Sequence, residues 1–166
     1  MTGVLLVGNF LSHAGGSRGV CEDLAVRLAD SGWQVITTST HKARVPRLVD
    51  MLTTAWRSRN AYDVAHVDVF SGPAFIWAEA VARLLRRLKK PYILTLHGGS
   101  LPTFAGRFPR RVSALLRSAA VVTTPSNYLL EQMQPYCKTL QLLPNPIELP
   151  SYPFRRRKAP RPKLVW

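Results

Sequence analysis

Residues 92–99, YILTLHGG, carry the pattern that decides the fold: a short strand-like run that ends in a histidine and two glycines. Residues 4–9, VLLVGN, show a similar pattern, a continuous apolar run that stops at Gly-Asn. Such a run is typical of a strand buried on both faces. Further β-branched or apolar runs that favour strands occupy residues 33–38, 63–67, 119–124 and 140–143.

Between these strands, apolar residues recur at helical spacing, which predicts helices over residues 20–29, 45–59, 73–88, 108–118 and 128–133. Strands that alternate with helices indicate right-handed βαβ units. We therefore expect an α/β, Rossmann-like, three-layer α/β/α domain with a mainly parallel sheet of about six or seven strands, spanning residues 1–149. Residues 150–162 are predicted to be a basic, proline-rich interdomain linker, and residues 163–166 the start of a C-terminal domain.

The charge balance is strongly basic, with 23 Lys and Arg against 9 Asp and Glu, a net charge of +14. Such a field favours anionic partners, among them nucleic acid, a membrane surface or a phosphorylated substrate, although a solvated basic surface is the simpler alternative. Cys21 and Cys137 stand far apart without a Cys/His cluster, so we expect free thiols and no metal site. The N-terminal run lacks the basic start of a signal peptide, which predicts a cytoplasmic protein.

A glycine-rich segment, residues 15–19 (GGSRG), precedes the first predicted helix. Glycines let the backbone approach a ligand closely, and a helix N-terminus presents unpaired N–H groups to an anion. The spacing matches neither the dinucleotide-binding GxGxxG motif nor a P-loop. A phosphate site and a plain flexible turn are both open for this segment.

Polar side chains follow two consecutive predicted strands, with Asp68 after the third and His97 after the fourth. Ligands of parallel α/β sheets bind at the carboxyl ends of strands, so both side chains can face one substrate. His97, helped by the amides of Gly98 and Gly99, can bond a sugar hydroxyl or a reacting oxygen, or it can cap its own loop. We interpret His66, inside the third strand, as a satisfied core histidine.

Arginines gather on the predicted helices and interleave with aromatic and aliphatic residues. Basic amphipathic helices of this kind lie on anionic membranes, so Arg107, Arg110 and Arg111 are predicted to contact a membrane or another anion. No helix-turn-helix, RNA-binding or zinc-finger signature accompanies them, which disfavours nucleic acid.

Taken in order, the loop motifs resemble the N-terminal domain of family-four glycosyltransferases of the GT-B fold. They are VLLVGNF, GGSRG, DVAHVD, PYILTLHGG, AAVVTTPSNYL and LLPNPIEL, and the resemblance covers essentially the whole chain. Pro146 departs from the family pattern, since it stands where glycine usually follows Pro-Asn.

The resemblance implies a retaining, metal-independent transfer of sugar from a nucleotide-sugar donor to a sugar, lipid-linked or phosphorylated acceptor, with no cofactor besides the donor. Gly15, Gly16 and Ser17 would lie against the donor diphosphate, and His97 would be the catalytic residue that hydrogen-bonds the transferred sugar. The acceptor pocket would be lined by Asp68, Gly98, Gly99, Ser126 and Asn127.

In the family, the Glu-x7-Glu motif and a basic pair for the diphosphate belong to a C-terminal domain. We therefore expect this chain to need that domain as its partner and to transfer no sugar alone. The residues themselves leave a different class open, namely a non-catalytic Rossmann-like module that binds an anionic ligand or nucleic acid.

Overall fold

A single parallel sheet organises the computed structural model, which describes residues 2–12 and 19–145. The strand order is β2-β1-β3-β4-β5-β6, and every neighbouring pair is parallel. The predicted Rossmann-like α/β class is thereby confirmed with six strands. The predicted linker and the strand at 163–166 lie outside the described residues. The strands are β1 (Gly3–Val7), β2 (Gln34–Thr38), β3 (Val64–Val69), β4 (Tyr92–Leu96), β5 (Val121–Thr124) and β6 (Leu140–Leu142).

Helices fill the connections between the strands, and their ends carry recognisable signals. Gly72, at a φ of 68°, precedes Pro73 at the first turn of α3, and Gly32, at a φ of 84°, follows α1. None of the described helices is long and apolar enough to cross a bilayer. The helices are α1 (Val20–Asp30), α2 (Arg44–Arg57), α3 (Pro73–Arg87), α4 (Leu101–Arg107), α5 (Pro109–Arg117) and α6 (Asn127–Met133).

Helix α4 is the one described element that the sequence interpretation missed. The sequence predicts one helix over residues 108–118, whereas the chain forms α4, breaks at Phe108 and begins α5 at Pro109. The break has a local cause, because the residue before a proline is disfavoured in the α conformation, and Phe108 has φ −131° and ψ 53°.

The two faces of the sheet are covered unequally. Leu5 and Val7 of β1 face the larger core, which includes Met51 of α2, Phe75 of α3 and Leu116 of α5. The alternate residues Val4 and Leu6 face a smaller core with Phe10 and Cys21, against which Leu24, Ala25 and Leu28 of α1 pack. The larger core takes side chains from several helices, among them α2, α3, α5 and α6. The smaller core is packed mainly by α1, which therefore covers its face of the sheet with few other helices beside it.

Strand β1 lies between β2 and β3, so the chain runs one way along the sheet from β1 to β2 and then crosses back past β1 to β3. A crevice forms at such a reversal of strand order, outside the carboxyl ends of the strands. We call this border of the sheet the carboxyl edge. The segments Gly8–Asn9, after β1, and Phe70–Ser71, after β3, lie at this edge.

Candidate functional site

Asp68 and His97 meet at the carboxyl edge, as predicted, although β3 continues to Val69 and so contains Asp68 near its end. Parallel pairing of β3 with β4 sets Asp68 opposite Thr95, two residues before His97. The Nε2 atom of His97 lies 3.1 Å from Oδ1 of Asp68, and the two side chains are 14% and 7% exposed. The His97 ring also stacks on Phe70, with ring centroids 5.2 Å apart. The pair is therefore held on two sides and still open to a ligand.

A row of polar side chains crosses the sheet beneath this pair. Nε2 of His66 lies 2.6 Å from the hydroxyl of Thr95, which lies 2.8 Å from the hydroxyl of Thr123. Nδ1 of His66 is buried without a hydrogen-bond partner in the described part of the chain and lies 3.9 Å from Oδ1 of Asp68. The interpretation of His66 as a satisfied core histidine is thus half right, because only one of its ring nitrogens is satisfied.

A cavity of about 270 Å³, which we call the central cavity, opens above this row. The lining includes residues of α1, of the carboxyl ends of β3 and β4, and of the segment after β6. Asn145 therefore lies beside the same cavity. Arg27 adds a positive charge to this lining. The lining residues are Val20, Cys21, Leu24, Arg27, His66, Asp68, Thr95, His97, Leu143, Pro144 and Asn145.

Gly8 and Cys21 close the side of the site next to β1. A methyl group at Gly8 would come within 2.7 Å of Oδ2 of Asp68 and 2.9 Å of the Cys21 sulfur, so only glycine leaves this space free. Burial, and after it the charge of Asp68, raises the pKa of the Cys21 thiol to about 12. Cys21 is therefore a neutral packing group and no nucleophile. Both cysteines are free and buried, as predicted.

Glu22 connects Ser12, which precedes the glycine-rich segment, to Gly19, its last residue. Its carboxylate accepts hydrogen bonds from the backbone amides of Ser12, at 3.0 Å, and Gly19, at 3.3 Å. These two hydrogen bonds hold Ser12 and Gly19, the described residues on either side of the undescribed part of the chain. The predicted diphosphate contacts Gly15, Gly16 and Ser17 lie outside the described residues.

The other predicted acceptor residues lie at the carboxyl ends of β4 and β5. Gly98 and Gly99 are exposed, and Gly98 adopts a φ of 88° that suits glycine. Ser126 caps α6 by accepting a hydrogen bond from the Leu129 amide at 3.4 Å, while Asn127 is exposed. Ser126 thus has a structural task independent of any ligand.

The three predicted anion-contact arginines differ in their surroundings. Arg111 is engaged by Glu79 of α3, since its Nε donates to Oε1 at 2.7 Å and its Nη2 to Oε2. Arg107 and Arg110 are exposed and form no ion pair with a described residue. Arg111 therefore differs from Arg107 and Arg110, because Glu79 already balances its charge.

We predict that His66 makes folding sensitive to mild acid. Burial lowers the pKa of His66 below its usual value of about 6.5, so the unfolded chain binds a proton more readily than the folded one. Stability should therefore fall as the pH drops through about 6.5 and level off below the folded pKa. Urea denaturation of the wild type and His66→Gln from pH 8 to pH 5 measures this loss of stability. The loss amounts to about 1.4 kcal/mol for each unit by which folding lowers the pKa of His66.

The exposed His41 offers the matched control, His41→Gln. The pH dependence of the free energy of unfolding should be weaker in His66→Gln than in His41→Gln. Equal pH dependence in the two variants would contradict the role given to burial.

Within residues 2–12 and 19–145, no group of three or more His, Cys, Asp or Glu side chains is arranged to hold a metal ion. Comparison with known proteins finds that residues 14–150 match the family model described as Glycosyltransferase Family 4. Among curated proteins, none matches the chain at a significant level. The matched range includes every described residue of the central cavity.

Proposed function

The chain belongs to glycosyltransferase family 4, and from that premise we propose that it is the acceptor-side domain of an enzyme that moves a sugar from a nucleotide-sugar donor to an acceptor. The observation that carries the proposal is the Asp68–His97 pair, which faces a cavity at the carboxyl edge beside the reversal of strand order.

His97 is the residue to which we assign contact with the transferred sugar. Because a carboxylate can only accept, Asp68 selects the ring form in which Nε2 of His97 carries the proton. In the neutral ring Nδ1 then accepts a hydrogen bond, and a sugar hydroxyl is a suitable donor. Once protonated, the ring would offer Nδ1–H to an oxygen that gains negative charge, with Asp68 stabilising the imidazolium.

The acceptor is assigned to the loops that follow β3 and β4. Ser71 and Ser100, one from each loop, lie 3.3 Å apart through their hydroxyls, beside a cavity of about 370 Å³. Arg107 of α4 lines the same cavity, and its unbalanced charge suits an acceptor that carries a phosphate. A hydroxyl-rich floor with one cation is the chemistry expected for a phosphorylated or lipid-linked sugar.

We also propose that the transfer retains the anomeric configuration of the sugar and needs no metal ion. A C-terminal domain that binds most of the donor is a further part of the proposal. The order of the loop motifs supports these points. A cytoplasmic enzyme at the inner face of the cell membrane fits the net charge of +14, which attracts anionic lipid.

Release of nucleoside diphosphate from a panel of uridine and guanosine diphosphate sugars tests the proposal in the chain together with the proposed C-terminal domain. We expect release that depends on an added acceptor and a product whose anomeric configuration, read by NMR, matches the donor. His97→Ala should lower kcat/KM by about 100-fold or more. Donor binding without any release across acceptors would instead identify a non-catalytic binding module.

A further inference from the structure

The outer face of α2 carries a row of apolar side chains exposed to solvent. Val45, Val49 and Trp56 follow one another at helical spacing and are 72%, 53% and 52% exposed. The solvent side of a surface helix is normally polar, because apolar area in water is unfavourable. A contiguous apolar row of this kind marks a surface that another phase or molecule covers.

The adjoining helix α3 extends this surface and adds positive charge. Ile76 is 48% exposed, and the exposed Arg83 and Arg87 follow it on the same side of the helix. An open groove of about 540 Å³ runs between the two helices, with Leu52, Trp56, Ala80 and Leu84 supplying its apolar lining and Arg57, Arg83 and Arg87 its cations.

The cations of this groove have no anionic counterpart in the described part of the chain. No ion pair between described residues involves Arg57, Arg83 or Arg87. Asp50, the one carboxylate of α2, accepts from the hydroxyls of Thr38 and Thr54 instead. The groove therefore combines apolar area with unbalanced positive charge.

We propose that this α2–α3 face, defined by Val45, Val49, Trp56, Ile76, Arg83 and Arg87, docks on an anionic lipid surface. Apolar side chains beside arginines fit the boundary of a bilayer, where Trp56 reaches the acyl region and the guanidinium groups reach lipid phosphates. A nucleic acid would contact the arginines and leave the apolar row exposed to water. A lipid surface would contact both the arginines and the apolar row, so it fits this face better.

The face is also placed where docking can serve the candidate site. Helices α2 and α3 follow β2 and β3, so both begin at the carboxyl edge, where Asp68 and His97 lie. The end of the face at Val45 and Ile76 is therefore the end nearest the site. Docking on lipid does not depend on the proposed sugar transfer, and its test needs no donor or acceptor.

Co-sedimentation of the 166-residue chain with vesicles tests the proposal. Phosphatidylcholine vesicles with a phosphatidylglycerol fraction should bind the chain, and pure phosphatidylcholine vesicles should bind it far more weakly. We expect Arg83→Glu with Arg87→Glu to lower the partition coefficient by about tenfold or more. Val45→Gln with Val49→Gln, which keeps the charge, should lower it several-fold, because the apolar contact is lost.

Arg117→Glu with Lys138→Glu is the matched control, since both residues are exposed and the pair makes the same change in net charge outside the α2–α3 face. Its loss should be clearly smaller than that of the α3 pair, and circular dichroism should show all three variants folded. Equal losses in the two charge-reversed variants, or unchanged binding in the glutamine variant, would show attraction by net charge alone and overturn the proposal. Binding to duplex DNA without binding to anionic vesicles would also overturn it.

Tryptophan fluorescence gives a second measurement that needs no disruptive substitution. Trp56 should shift its emission to shorter wavelength on anionic vesicles, and Trp56→Phe should bind with that shift reduced. A shift of the same size in the wild type and Trp56→Phe would place Trp56 outside the lipid and contradict the docking mode.

Discussion

Gly8→Ala should lower kcat/KM for sugar transfer by about 100-fold, although the substitution adds a single methyl group. That methyl group would stand 2.7 Å from Oδ2 of Asp68 and 2.9 Å from the sulfur of Cys21. The backbone of Gly8 cannot retreat, because its amide donates to Thr38 at 2.8 Å and its carbonyl accepts from Ser39 at 3.0 Å. The carboxylate of Asp68 must therefore move, and His97 loses the partner that sets its protonation and orientation.

A double-mutant cycle separates this effect from general damage to the fold. In an Asp68→Ala background the methyl group meets no carboxylate and only Cys21 remains close to it, so Gly8→Ala should cause a much smaller further loss of kcat/KM. Gly106→Ala is the control, since a methyl group there comes no closer than 3.9 Å to the Tyr136 hydroxyl. Independent, additive losses for Gly8→Ala and Asp68→Ala would argue against a site built on the Asp68–His97 contact.

Much of the fold was predictable because its signals are local. The apolar runs at β1 and β4 and the glycine or proline at helix ends depend on neighbouring residues, and strand–helix alternation then restricts the topology. The pairing of Asp68 with His97 was also within reach, since the carboxyl ends of consecutive parallel strands meet at one edge.

What the sequence did not reveal depends on register and on contacts distant in the chain. Thr95 and Thr123 look like ordinary β-branched strand formers, and only the pairing of β4 with β5 places their hydroxyls 2.8 Å apart beneath His66. The neutralisation of Arg111 by Glu79 joins residues 32 positions apart. Charge patterns along the chain carry no such information, so the three predicted anion-contact arginines could not be told apart.

Phe75→Ala should reduce the free energy of unfolding by about 3–5 kcal/mol, which is a large part of the stability of an ordinary domain. The Phe75 side chain is fully buried in the larger core, and its ring centroid lies 5.0 Å from that of Phe104 in α4. The guanidinium of Arg111, in α5, stands 5.4 Å from the same ring while Glu79 holds its charge. Phe75 thus joins three consecutive helices, and truncation leaves a cavity that none of them can fill without losing its own contacts.

Ile76→Ala tests whether burial, rather than the position on α3, sets this cost. Ile76 is the next residue of the same helix and is 48% exposed, so its truncation removes little buried area and should cost about 1 kcal/mol or less. Urea denaturation of the wild type and both variants gives the two free-energy changes under identical conditions. Similar costs for the two truncations would mean that the layer of α3, α4 and α5 relaxes around the missing ring, and that Phe75 does not hold these helices together.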